Sequence, residues 1–200
     1  TSELILPQLS ASGVSAFEVK KRSDFTVEFG PLRARDIPAF IKTGKVTPEM
    51  RTVRFDLKDR LLLVPVEIQQ VLLPMIAAAV TLNFLSSMLN TIAVLVAVLA
   101  GTALFPILLP SIPTKDFTTK GFILGILVAM PFVLVVFLGS PFSVLWMKLA
   151  SASSYAMLMA PVTSYLALNF TGSTPFTSKS GVRREILRYI PFLAIVLVIG

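Results

Sequence analysis

The chain reads as an α-helical membrane bundle of about five transmembrane helices, preceded by the tail of an α/β domain. Three observations predict this. Residues 1–60 carry 19 ionisable side chains, 11 Lys or Arg and 8 Asp or Glu. Beyond residue 61 come three long runs with none at all: Ile68–Thr114, Gly121–Met147 and Leu149–Ser178. A charge in hydrocarbon is costly, so long charge-free apolar runs mark membrane helices. Third, the polar front alternates strand, helix, strand, helix, the order of an open α/β sheet. A hydrophobic content of 54% and a mean hydropathy of +0.81 argue against an ordinary soluble domain.

In residues 1–46, Glu3–Leu6 is a short apolar run that suits a buried strand. Ser10–Gly13 follows as a turn of small residues, and Val14–Arg22 reads as a helix with Lys20, Lys21 and Arg22 at its C-terminal end, where cations suit the helix dipole. Phe25, Val27 and Phe29 alternate with Thr26 and Glu28, the pattern of a strand with one wet face. Gly30-Pro31 ends it. Asp36 or Ile37 opens a second helix with Pro38 in its first turn, and Gly44 closes it. So short a stretch buries little area, so more of this domain is expected upstream of Thr1. The chain opens on Thr and stops inside an apolar run at Gly200, which reads as a piece of a longer protein.

Residues 47–60 are a polar connector ending in the charged collar Asp56–Arg60. Residues 61–200 form the membrane part, with spans expected at about 61–82, 92–109, 121–138 and 142–168, and the start of a fifth at 189–200. Each span needs about 20 apolar residues. Lys and Arg fall in the N-terminal region and in the loops Thr114–Lys120 and Asn169–Arg188, while the loops Asn83–Thr91 and Gly139–Pro141 hold no charge. Positive loops face the cytoplasm. The expected location is therefore the cytoplasmic (inner) membrane, multi-pass, with the polar domain on the cytoplasmic side.

The chain contains neither Cys nor His. That excludes thiolate and imidazole metal sites, Fe–S ligation, a Cys nucleophile and a Ser–His–acid triad within it. The net charge of +7 does not point to nucleic acid: the front contributes only 11 − 8 = +3, without a recognition-helix pattern or interleaved aromatics. Glu67 is the only carboxylate of the first span. It reads either as an intramembrane relay or, near Arg60 and Pro65, as a solvated group at headgroup depth. Six residues of helix rise only about 9 Å, which favours the second reading. Lys148, beside Trp146, is expected to snorkel to the outer interface. Met157 and Met159 lie two apart and share no helix face, so packing explains them better than a metal. The hydroxyl-rich loop Asn169–Val182 suits an anion or a domain contact, or equally a capping connector in which Ser178 or Ser180 starts a helix at Gly181.

Two stretches of the front, Leu4-Ile5-Leu6-Pro7-Gln8-Leu9-Ser10-Ala11-Ser12-Gly13-Val14 and Phe29-Gly30-Pro31-Leu32-Arg33-Ala34-Arg35-Asp36-Ile37-Pro38, resemble the C-terminal end of the Rossmann-like corrinoid-binding domain in the corrinoid iron–sulfur protein family. Thr47–Arg51, Phe55–Leu61, Val64–Glu67 and Asn169–Ser178 look like the membrane-bound, mercury-methylating branch of that family, so the resemblance runs over nearly the whole chain. It implies a corrinoid-dependent methyltransferase that passes a methyl group from cobalamin to inorganic Hg(II), giving methylmercury. It further implies a ferredoxin-like Fe–S electron donor as partner, beside the lipid bilayer. In the family a cap-helix Cys sits below the cobalt. This chain has none, so no catalytic residue is assigned in it, and cobalamin is expected to be bound mainly by upstream residues, with the Cys in an Asn-x-Trp-Cys-Ala setting.

The positions carried over as corrinoid neighbours are Gln8, Leu9, Ser10, Ser12 and Gly13 after the first strand, and Gly30, Pro31 and Arg33 after the second. A small-residue loop at the C-terminal edge of an α/β sheet is where a large planar ligand approaches the backbone. Ordinary loop packing is the alternative at these positions. For the whole chain, the alternatives are a corrinoid protein of acetyl-CoA-pathway type with another methyl acceptor, a transporter with a small cytoplasmic domain, and a bundle that serves only as an anchor.

Overall fold

The computed structural model describes residues 2–52, 55–141, 144–174 and 179–200. The chain divides into two compact units, Thr1–Arg54 and Phe55–Gly200.

The first unit is a β–α–β unit with two short helices after it. Strands β1 (Glu3–Pro7) and β2 (Thr26–Gly30) pair in parallel, in register from Glu3 opposite Thr26 to Pro7 opposite Gly30. A parallel pair needs a crossover, and helix α1 (Ala16–Ser23) supplies it. Its N-cap is Ser15, whose Oγ accepts from the Glu18 N–H at 3.4 Å, so the helix begins two residues later than the hydropathy pattern suggests. Asp24 closes α1 in the left-handed region at φ 59°. On β2, Val27 and Phe29 are half-buried while Thr26 and Glu28 are exposed, the alternation read from the sequence. Helix α2 (Ile37–Thr43) follows with Pro38 in its first turn, ends at Gly44 (φ 62°), and buries Phe40. The polar connector contains a one-turn helix, α3 (Pro48–Arg51), capped by Thr47. The Leu32 N–H donates to the Met50 carbonyl at 3.0 Å, which ties this turn back to the end of β2.

Among the described residues the second unit's regular structure is helical: α4 (Leu57–Leu85), α5 (Met88–Leu108), α6 (Phe117–Gly139), α7 (Leu145–Asn169) and α8 (Lys179–Ile199). Among the described residues three of these, α4, α5 and α6, are long and apolar enough to cross a membrane. Helices α7 and α8 are long enough but more polar: Ser151, Ser153 and Ser154 dilute one, and Arg183, Arg184, Glu185 and Arg188 open the other. The expected span 189–200 is therefore only the apolar end of a helix that starts at Lys179. Phe142, where the fourth span was expected to begin, and Pro175–Ser178 lie outside the described residues. The collar Asp56–Arg60 is the N-terminus of α4 itself, closed by a reciprocal capping box between Asp56 and Asp59.

Close contact between α6 and α7 organises the bundle. Gly121 and Gly125, four apart on one face of α6, meet Ser164 and Ala160 on α7. A Cβ on Gly125 would lie 2.6 Å from the Ala160 Cα, and one on Gly121 2.8 Å from the Ser164 Cα. Without a hydrophobic drive inside lipid, such small-residue faces let backbones approach and gain dispersion energy. Ser164 Oγ donates to the Thr118 carbonyl (2.7 Å), a polar link across the same seam, and Thr163 Oγ1 donates to the Ala97 carbonyl (3.0 Å), tying α7 to α5. In α5 the residues Ala100–Leu104 form a π-helical stretch where Gly101 faces Leu166, just before Pro106. Phe105, Phe117 and Phe170 pack ring to ring at 5.9 and 6.1 Å near one end of the unit. Outward, Leu62, Leu73, Phe84, Leu127, Leu138 and Val198 are exposed, an apolar surface that suits lipid rather than water.

Candidate functional site

The residues carried over from sequence fall on two loops that the sheet register brings together. Pro7 and Gly30, the last residues of β1 and β2, are direct partners, so Gln8–Gly13 and Pro31–Arg33 leave from the same carboxyl edge. This is where an open α/β sheet presents ligands. Residues 8–12 form a 3-10 turn. Ser10 Oγ donates to the Pro7 carbonyl at 2.7 Å and Ser12 Oγ to the Leu9 carbonyl at 3.1 Å. Both hydroxyls thus stiffen their own loop and present lone pairs, not protons, outward. Gln8 and Ser10 are half-buried and Leu9 is 61% exposed.

The two glycines differ. A Cβ on Gly13 would meet nothing nearer than the Ser10 carbonyl oxygen at 4.0 Å, so its backbone faces open space and a large ligand can approach it. A Cβ on Gly30 would come within 2.9 Å of Ile5 Cγ2 and 3.5 Å of the Phe40 ring. The smallness of Gly30 therefore serves packing inside the unit, and buried Pro31 follows it. Arg33 lines a separate depression of about 140 Å³ with Arg35, Asp36, Thr47, Glu49, Met50 and Thr52. Of the carried-over residues, the turn Gln8–Gly13 has the chemistry that one rim of a corrinoid crevice would need, an open backbone and hydrogen-bond acceptors, whereas Gly30 serves packing and Arg33 lies apart. Among the described residues no three Asp or Glu converge as a metal site.

The second unit gathers its polar groups at one end, where α4, α6 and α8 start and α5 and α7 finish. Glu67 is buried (6% exposed) and accepts from Ser173 Oγ at 2.6 Å, so the solvated position expected from sequence is replaced by a buried pair 106 residues apart. Arg60 reaches the end of α5 and donates through Nη1 to the carbonyls of Pro106 and Ile107, both at 3.0 Å. Lys120 Nζ donates to the Leu109 carbonyl at 2.8 Å. Two cations thus cap the carbonyl end of α5, as its dipole favours. Glu185 Oε2 accepts from both the N–H and the hydroxyl of Thr118, at 3.2 and 3.0 Å, and Tyr189 donates to Asp116 at 2.7 Å, fixing the start of α8 to the start of α6. At the opposite end Tyr155 donates to the Asn90 side chain, Trp146 is exposed and Lys148 is half-buried in the first turns of α7. Sequence reasoning missed every one of these pairings. The available signal was that each ionisable group beside an apolar run needs a partner, without saying which.

Searches of protein-family models, curated proteins and solved structures find nothing that matches this chain.

Proposed function

We propose that this chain is the membrane-bound C-terminal portion of a corrinoid-dependent methyltransferase of the mercury-methylating, HgcA-type branch of the corrinoid iron–sulfur proteins. The observation that carries this reading is the carboxyl edge of the β1–β2 pair. Of the residues that resemble the corrinoid-binding domain, Gln8, Leu9, Ser10, Ser12 and Gly13 leave that edge beside Gly30 and Pro31, Arg33 lines a separate depression, and apolar helices follow in the same chain. Exposed Leu4, Ile5 and Leu9 are in keeping with a sheet that continues into further domain.

When bound, cobalamin supplies the transferable methyl group, and Hg(II) is the acceptor. The chain's own part is to form one rim of the crevice. The Ser10 and Ser12 hydroxyls hold the turn rigid, the Gly13 backbone admits the macrocycle, and Gly30 lets Ile5 and Phe40 close beneath. The partner proposed to supply electrons to the domain is a ferredoxin-like Fe–S protein. The cap-helix Cys belongs to the domain upstream.

All five helices α4–α8 are proposed to span, with the first unit in the cytoplasm. Supporting this, the helix ends that one orientation would place together carry Arg60, Lys115, Lys120, Arg183, Arg184 and Arg188. Among the described residues the buried hydroxyl and carboxyl groups of the second unit bond to a neighbouring helix or to their own local backbone rather than line a path, which favours an anchor over a transporter. The test is to purify the complete gene product containing this chain from membranes. The expected result is a bound corrinoid chromophore, an upstream Asn-x-Trp-Cys-Ala segment, and methylmercury formed from a methyl-corrinoid donor and Hg(II). A product that retains no corrinoid overturns the reading. Corrinoid retention with transfer only to another acceptor overturns the mercury assignment alone.

A further inference from the structure

At the end of the second unit, Phe55, Arg60, Leu109, Pro110, Lys115, Phe117 and Lys120 line a depression of about 320 Å³. Three of its seven lining residues are cations and none is a carboxylate. The nearby acids are engaged elsewhere: Asp116 accepts from Tyr189, Glu185 from Thr118, and Asp59 from the Asp56 N–H. Arg60 is only 9% exposed, and its Nε is buried without a hydrogen-bond partner. The Nε itself is closed to a ligand, so Arg60 serves the depression as a fixed positive charge in its wall. Lys115 is exposed and has no partner among the described residues. The remaining wall is apolar, from Phe55, Leu109, Pro110 and Phe117.

We propose that this depression is an oxyanion site for a phosphate group, carried by the head of an anionic lipid or free in solution. Fixed cations in a partly desolvated cleft suit a phosphate. Apolar walls beside the cations suit a phosphodiester that continues into a glycerol and acyl chains. The site stands at the end of the bundle that also carries Arg183, Arg184 and Arg188, where anionic head groups attract basic residues. It is independent of the corrinoid reading, because every lining residue belongs to the second unit.

The test uses the whole chain in lipid nanodiscs of phosphatidylcholine with graded phosphatidylglycerol, counting retained lipid by native mass spectrometry, for the parent, Lys115→Gln, Lys120→Gln and Lys148→Gln. A lysine near an anionic surface is worth about fivefold in lipid affinity. Retention of phosphatidylglycerol over phosphatidylcholine should fall about that much in Lys115→Gln and in Lys120→Gln, and not in Lys148→Gln. Lys120→Gln also removes a helix cap. If that variant unfolds, Lys115→Gln decides the outcome, because the Lys115 side chain supports nothing else. A parallel arm adds inorganic phosphate to the chain in zwitterionic detergent and follows its melting. Stabilisation there that Lys115→Gln abolishes, without lipid preference, supports the site and assigns it to soluble phosphate. No response in either arm, or an equal loss in Lys148→Gln, overturns the proposal.

Discussion

Replacing Gly125 with Ala tests what holds the bundle together. The added methyl would lie 2.6 Å from the Ala160 Cα, 3.0 Å from Thr163 Cβ and 3.1 Å from the Ala160 carbonyl oxygen. Comfortable carbon–carbon contact is about 3.5–4.0 Å, so α6 and α7 must separate by roughly 1 Å. Two of the three obstacles are backbone atoms, which cannot rotate away. Overpacking of this kind costs about 1–3 kcal/mol. For a chain of this size that corresponds to a fall of roughly 2 to 12 °C in melting temperature. The separation also stretches the Ser164–Thr118 hydrogen bond, which crosses the same seam. Gly139→Ala is the matched control: it stands at the end of α6, and a Cβ there meets nothing within 4 Å. Its effect should stay within about 0.5 kcal/mol. The assay is thermal unfolding in detergent or nanodiscs, followed by circular dichroism and by the single tryptophan, Trp146. Equal melting temperatures for Gly125→Ala and Gly139→Ala would refute the close-packed seam.

Other perturbations separate the remaining contacts. Ser173→Ala removes the hydrogen bond that Glu67 accepts among the described residues and should destabilise the second unit by about 1–3 kcal/mol, the cost of an orphaned buried acceptor. In a double-mutant cycle with Glu67→Gln, additive losses would show that the pair is not coupled. Thr163→Val deletes the bond to the Ala97 carbonyl while keeping the shape, and should cost only about 0.6 kcal/mol, as interhelical hydrogen bonds in membranes do. A loss of several kcal/mol would mean that Thr163 does more than bridge two helices. Ser15→Ala removes the cap of α1 and should lower the stability of the first unit by about 1 kcal/mol, read by hydrogen exchange of α1. Unchanged protection would show that the cap is idle. Gly13→Val should weaken corrinoid retention by the complete gene product and leave hydrogen exchange in β1 and β2 unaltered. Retention equal to the parent would remove Gly13 from the site.

Much of the helical architecture is legible because hydrocarbon punishes charge. The charge-free run Ile68–Thr114, broken by Ser86 and Ser87, places α4 and α5 within a few residues. Early helix starts come from polar first turns that a hydropathy window excludes, such as Leu57–Arg60 in α4 and Phe117–Lys120 in α6. Alternation in Phe25–Phe29 identifies β2 for the same reason: period two has one wet face. What stays hidden is pairing. Nothing in the order of residues joins Glu67 to Ser173 or Arg60 to Pro106, because those contacts depend on how helices turn against one another. The π stretch at Ala100–Leu104 is similarly invisible, although Gly101 lies within it and Pro106 follows it. At the sheet edge, chemistry alone could not tell Gly13 from Gly30. Only the positions of Ile5 and Phe40 separate a glycine that leaves open space from one that relieves a clash.

The central claim is that helices α4–α8 cross a bilayer and hold the first unit on the cytoplasmic side. The chain has no native cysteine, so single cysteines report position without background. In intact spheroplasts of a bacterial host, an impermeant maleimide should label Ser87→Cys and Gly139→Cys from outside, and Lys45→Cys and Lys115→Cys only after lysis. Labelling of all four in unbroken cells, or release of the chain from membranes by alkaline carbonate, would contradict it.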